Sequence, residues 1–164
     1  MPRRIPRWVG LVVWPVLLGT VHVGVPLELS RLGPRVGWRN CRGRPGTTNL
    51  VGLVPLVGGA ALVSWALAEH YAAAPDKGWA IKRGLEPEYL LTDGPYRLTR
   101  NPMYVGGLEI WAGWTAWFGS EPVAAGLAVL TAVYRAGIAW EERILARRWG
   151  DEWRAYARRT PRWL

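Results

Sequence analysis

The chain has 164 residues, half of them apolar, with twelve tryptophans against one phenylalanine and a formal charge of +9, a length with room for one domain. Its one cysteine, Cys41, excludes an internal disulfide and a paired-cysteine metal site. The arginines flank apolar runs instead of alternating with exposed aromatics, which argues against nucleic acid and for anionic lipid head groups.

Only Lys77 and Lys82 among the basic residues are lysine, and the wealth of arginine, alanine, glycine and tryptophan fits a GC-rich bacterial coding bias. Behind a basic start (Arg3, Arg4, Arg7), the stretch from Trp8 to Leu29 is apolar apart from His22, Glu28 and two prolines. It reaches the roughly 20 residues a bilayer core demands and reads as a first membrane helix bent near Pro15. It is too long for a signal peptide and lacks a small-residue cleavage site. A loop from Ser30 to Thr48 carries Arg31, Arg35, Arg39, Arg42 and Arg44. Those arginines leave open a rival reading, in which the first segment dips into the membrane without spanning.

Leu50 to Ala68 is a second apolar run, where Gly52, Gly58, Gly59 and Ala60 allow close helix packing. From Glu69 to Arg100 the chain is polar, with a turn at Ala72-Ala73-Ala74-Pro75-Asp76. Met103 to Gly119 forms a third span and Pro122 to Trp140 a fourth, joined tightly through Gly119-Ser120-Glu121-Pro122. In the tail, Glu141 to Arg159, the residues Ile144, Leu145, Trp149, Trp153 and Tyr156 recur at helical spacing among arginines. Such a helix is expected to lie on the membrane surface, apolar side down. The sequence therefore predicts an all-α integral membrane protein of about four transmembrane helices plus a C-terminal amphipathic interfacial helix. It is a single membrane domain over 1–164, with two helices and the basic loop in 1–70 and a motif region in 90–164. Basic residues concentrate in both termini and before the third span, which places both termini in the cytoplasm and the protein in a bacterial plasma membrane.

Two elements stand at the polar ends of the hairpin. The first is Gly94-Pro95-Tyr96-Arg97-Leu98-Thr99-Arg100-Asn101-Pro102-Met103-Tyr104-Val105-Gly106, and the second is Glu141-Glu142-Arg143. Pro102 suits the first position of a helix, where its missing N–H costs little, and backbone N–H groups there can face an anion. Within the hairpin, Glu109 and Arg135 lie at depths about one turn apart, so an ion pair between them is expected. Glu109 shares a face with Pro102, Gly106 and Gly113 and points toward a neighbouring helix. His22 reads as a buried or interfacial polar residue, and His70 as an interface residue beside Glu69.

The stretch from Leu91 to Gly106, the hairpin, Glu141-Glu142-Arg143, Trp149-Gly150, Trp153, Tyr156 and the closing Thr160-Pro161-Arg162 resemble the isoprenylcysteine carboxyl methyltransferase family and its phospholipid methyltransferase relatives. The resemblance covers roughly residues 90 to 164. It implies an integral membrane enzyme that binds S-adenosylmethionine at the cytosolic end of the last two helices and methylates a lipophilic small-molecule or lipid substrate. Carried over by position, it nominates Arg100, Asn101, Pro102, Tyr104, Gly106, Glu141, Glu142 and Arg143 for the cofactor, and no metal. Glu142, seven residues from Arg135 on one face, is the favoured glutamate. The chemistry agrees: carboxylates suit the ammonium and ribose hydroxyls of that cofactor, and arginine or backbone N–H suits its carboxylate. Asn101 stands where the isoprenylcysteine enzymes have histidine, and an amide cannot take a proton near neutral pH. An acceptor amine would then need another base. The acceptor is read as a carboxylate, thiol or amine. The rival functions are an NADPH-dependent membrane reductase of sterol-reductase-like architecture and a noncatalytic membrane assembly protein.

Overall fold

The computed structural model describes residues 13, 15–37, 45–73 and 89–164. The basic start at Arg3, Arg4 and Arg7, the Trp8 end of the first helix, Arg39, Arg42 and Arg44, and the Ala74-Pro75-Asp76 part of the turn lie outside the described residues. Among the described residues the secondary structure is helical, with no strand. Helix α1 is Pro15–Leu29, interrupted by a π-helical turn at Thr20–Gly24. Helix α2 is Leu53–Ala73, led in by a 3-10 turn at Thr47–Gly52. A second 3-10 turn, Gly94–Arg97, precedes α3, Pro102–Phe118, and α4 is Glu121–Arg159.

Glycines set the closest contact. A Cβ on Gly52 would lie 2.5 Å from the Gly113 carbonyl oxygen, and one on Gly59 would lie 2.4 Å from that of Gly106. Conversely, a Cβ on Gly106 would stand 2.7 Å from the Gly59 oxygen, and one on Gly113 2.7 Å from the Gly52 oxygen. Both pairs are seven residues apart, so α2 and α3 run antiparallel with their backbones touching at two levels. On the other flank of α3, a Cβ on Gly107 would meet His22 of α1, and one on Gly126 of α4 would meet Leu29 and Trp111. The four helices thus alternate in direction between two ends of one bundle. A motif end holds the Asn101-Pro102 helix start, and a hairpin end holds the α3–α4 turn.

The hairpin end is closed by specific bonds. Gly119 ends α3 in the left-handed region at φ 53°, as a glycine after a helix permits, and its carbonyl accepts a hydrogen bond from the Val36 amide at 3.0 Å. Buried Asn49 donates to the carbonyls of Val36 and Ala116, each at 3.1 Å. Two helical stretches, Thr47–Ala73 and Glu121–Arg159, are long and apolar enough to cross a membrane. Pro15–Leu29 is apolar but shorter, and the 17 residues of α3 extend about 26 Å at the rise of a helix.

Three expectations are corrected. Glu109 and Arg135 do not pair: Glu109 is turned onto α2, where a Cβ on Gly58 would lie 3.6 Å from its Oε2, while Arg135 is exposed on α4. Equal depth was insufficient, because the glycine contacts roll that face of α3 toward α2 and away from α4. The tail is also no separate helix from Glu141. Helix α4 continues past Trp140 and breaks at Gly150, where φ is 48° and ψ −114°, a conformation open to glycine because it lacks a Cβ. Finally, the apolar stripe of the tail packs on protein. Trp153 and Tyr156 are buried with Ala66 and Tyr96, and Leu145, Ala146 and Trp149 pack around them with Leu90, Leu91 and Met103.

Candidate functional site at the motif end

The chain enters the motif through Gly94, at φ 57°. A Cβ there would stand 2.3 Å from Glu69 Oε1, so the loop lies directly on the end of α2. Pro95 and Tyr96 are buried in the 3-10 turn. The Tyr96 hydroxyl lies 2.8 Å from His70 Nε2, and its carbonyl accepts the Tyr156 hydroxyl at 2.7 Å. Burial, with the nearby Glu141 charge adding to it, holds the Tyr96 phenol far above its ordinary pKa, so it stays neutral at working pH.

From Thr99 onward the motif is clasped by the last residues of the chain. The Arg162 carbonyl accepts from fully buried Thr99 Oγ1 at 2.8 Å and from Asn101 Nδ2 at 3.1 Å. The Arg100 amide donates to the Pro161 carbonyl at 2.9 Å. The guanidinium of Arg100 reaches Glu142 at 3.3 Å, with both side chains largely buried, and lies over the Trp153 ring at 5.5 Å. Arg162 donates from Nε to Glu142 Oε1 at 3.2 Å and from Nη2 to Oε2. Glu142 therefore meets two cations. Asn101 uses its amide N–H as a staple, a bond that a neutral side chain makes without any proton transfer.

Glu141 is placed differently. It accepts the Tyr104 hydroxyl at 3.0 Å, and Tyr104 packs edge to face on Tyr134 with ring centroids 4.9 Å apart. No arginine or lysine pairs with Glu141 among the described residues. Close by in the motif, Arg100 Nε is buried with no hydrogen-bond acceptor among the described residues. A half-buried carboxylate held by one hydroxyl and an unsatisfied guanidinium N–H are, in chemical type, complementary to a ligand that carries both a cation and a carboxylate.

The nominated residues thus divide. Arg100, Asn101 and Glu142 converge on the C-terminal clasp, and Tyr104 and Glu141 form the second cluster. Pro102 is buried at the first position of α3, as its ring predicts. Gly106 faces Gly59 and Val63 in the contact between α2 and α3. Arg143 is exposed and outside both clusters. Glu142 is balanced by two cations, the second from Arg162 twenty residues beyond it, whereas no arginine or lysine pairs with Glu141 among the described residues. Sequence reasoning missed Tyr96, Thr99 and Tyr134 as polar members of this end. For Tyr96 and Thr99 the signal was present, since both lie inside the motif. For Tyr134 nothing in the local pattern distinguishes it from a lipid-facing aromatic.

No curated protein and no solved structure matches the chain. The phospholipid methyltransferase family matches residues 48–152. That match takes in all of α2, which by sequence resembled only a generic membrane helix, and includes both halves of the motif. The chain belongs to the phospholipid methyltransferase family.

Proposed function

We propose that this membrane methyltransferase uses S-adenosylmethionine and acts at the motif end of a four-crossing bundle on an amphipathic, membrane-partitioned acceptor. The observation that carries the reading is the presence at one end of an uncompensated, half-buried carboxylate, Glu141, and the unsatisfied Nε–H of Arg100. When bound, the cofactor supplies an electrophilic methyl group. Glu141, oriented by Tyr104, would hold its ammonium or ribose hydroxyls, and Arg100 its carboxylate. Glu142 would act on the cofactor through Arg100, whose position it fixes.

The alternation of the helices supports four crossings. With α1 packed on α3 and α4, and α3 on α2, the shorter pair would be carried across by the longer one, with local thinning or tilt absorbing the mismatch. The arginine-rich motif end, where the C-terminal Arg162 lies, would face the cytoplasm of a bacterial plasma membrane. The exposed Val54, Val57, Val129 and Val133 would face lipid tails, and a lipid acceptor would bring its head to Tyr104 and Glu141 from that side. An amine, thiol or carboxylate head is within this chemistry.

The test is calorimetry on the full chain in detergent. Wild-type protein is expected to bind S-adenosylmethionine and not NADPH. Glu141→Gln should weaken binding about 10- to 100-fold, the worth of a hydrogen bond to a charged group. Folded wild-type protein that ignores S-adenosylmethionine refutes the reading.

A further inference from the structure

Deep in the bundle, His22 is buried and belongs to the π-helical turn Thr20–Gly24. In that turn the Val25 amide bonds to the Thr20 carbonyl, five residues back. Such turns widen a helix and recur at functional sites. The imidazole is held at both nitrogens. Its Nδ1 lies 3.1 Å from the Leu18 carbonyl, and the residue's own carbonyl accepts the Trp114 indole N–H at 2.8 Å. Gly107 gives it room, since a Cβ there would stand 2.6 Å from Nε2. A carbonyl only accepts, so in the neutral ring Nδ1 carries the hydrogen and Nε2 the lone pair. Tyr134, 2.9 Å from Nε2, therefore donates its hydroxyl to that lone pair. The order is hydroxyl, base, orienting acceptor, the arrangement by which an imidazole activates a protic group.

Tyr134 stands between this base and the candidate site. On α4 the residues Tyr134, Gly137 and Glu141 follow one face, and Tyr104 lies across from them: its ring meets Tyr134, and its hydroxyl meets Glu141. Between those contacts Gly137 leaves space, for a Cβ there would find only the Tyr104 hydroxyl, at 3.9 Å. Both tyrosines and Glu141 keep partial exposure. The titratable groups facing this side of His22 are Tyr134, then Tyr104 and Glu141.

We infer that Tyr134, backed by His22, is the acceptor-side proton relay of the site. This rests on the methyltransferase reading above and supplies the base that Asn101 does not provide. An acceptor head that arrives as an ammonium in the gap at Gly137 gives one proton to the Tyr134 oxygen while the phenol's own proton passes to His22 Nε2, leaving a neutral amine and an imidazolium. The amine's lone pair then forms the new bond to the methyl carbon of the sulfonium donor. The carbon–sulfur bond breaks with its electron pair on sulfur. Tyr134 is the group that touches the acceptor, and His22 acts through it.

The test uses the full chain in phosphatidylglycerol nanodiscs with or without phosphatidylethanolamine as the amine probe. His22→Gln and Tyr134→Phe are expected to bind S-adenosylmethionine with wild-type affinity and to keep the wild-type melting temperature within a few degrees. Both should methylate the amine lipid at least about 100-fold more slowly, the lower range of general-base contributions. Their residual rate should rise with pH as the amine deprotonates unaided. Glutamine still accepts the Tyr134 hydroxyl, so it rescues a role that is only structural, and a wild-type rate and pH profile in His22→Gln overturns the proposal. A second readout needs no donor. The chain has two histidines, and the imidazole nitrogen NMR signals lost in His22→Gln identify those of His22. These are expected to move when phosphatidylethanolamine is added and to stay still in Tyr134→Phe. Signals indifferent to the amine lipid in the wild type overturn the relay. Failure of the wild type to bind S-adenosylmethionine, with His22 still responding, instead overturns the cofactor reading alone.

Discussion

Two neighbouring carboxylates carry different loads. Glu142 is gripped by Arg100 and Arg162, and Glu141 by a single tyrosine hydroxyl. Removing one member of a buried ion pair leaves its partner charged in a poor solvent, so Glu142→Ala is expected to destabilise the protein by about 3–5 kcal/mol. Thermal unfolding in detergent measures this directly. Glu141→Gln keeps the Tyr104 hydrogen bond and the side-chain volume, and its melting temperature should stay near wild type while cofactor affinity falls. Equal destabilisation by the two variants would refute this division. The sequence identified the pair as a pair. It favours Glu142 through Arg135 as a neighbour, whereas the cations that meet Glu142 are Arg100 and, from the closing Thr160-Pro161-Arg162, Arg162, which is reached only after the chain folds back.

At the level of elements, α2 and α3 are held where main chains meet. The sequence showed the small residues of α2 and a glycine-bearing face of α3, and so made close packing legible. It did not show that Gly106 belongs to that contact, since the motif around it suggested a ligand. A Cβ on Gly59 has no room against Gly106 and Glu109. Gly59→Val should therefore force the two helices apart at a cost of about 1–3 kcal/mol, read as a lowered melting temperature. Gly58→Ala, where only the Glu109 carboxylate lies within reach, at 3.6 Å, should leave stability almost unchanged. The extent of α4 was less legible. Polar composition after Trp140 suggested a boundary there, but helix hydrogen bonding is indifferent to that change, and the break falls where Gly150 adopts a positive φ. The tail's apolar stripe was visible too, and only its recipient differed: Tyr96 and Ala66 cover it in place of lipid.

For the whole molecule, the alternation of four helices puts the described ends of the α1–α2 connection, residues 30–37 and 45–52, at the hairpin end, opposite the motif. With the motif end cytoplasmic, a membrane-impermeant maleimide should modify a cysteine placed at exposed Leu32, in a Cys41→Ser background, when it reaches the outer face of the plasma membrane, and a cysteine appended after Leu164 should react only after lysis. The reverse pattern would invert the orientation. Helix order and the position of the motif were readable from hydropathy and punctuation because both are local. The neighbours of each side chain were not: His22 and Tyr134 are 112 residues apart and come together through the glycine at position 107 on a third helix.

The π-helical turn in α1 is a phase shift written into an otherwise regular screw. The residues before it and those after it keep separate rotational settings, with Pro26 and Leu29 seated by the second. Excising one residue from Thr20–Gly24 would cancel the shift and swing the preceding part of α1 by about 100° relative to the seated part. Hydropathy, charge and length would hardly change. The bundle would retain a histidine and a tyrosine that no longer meet, so the contact depends on counting as much as on composition.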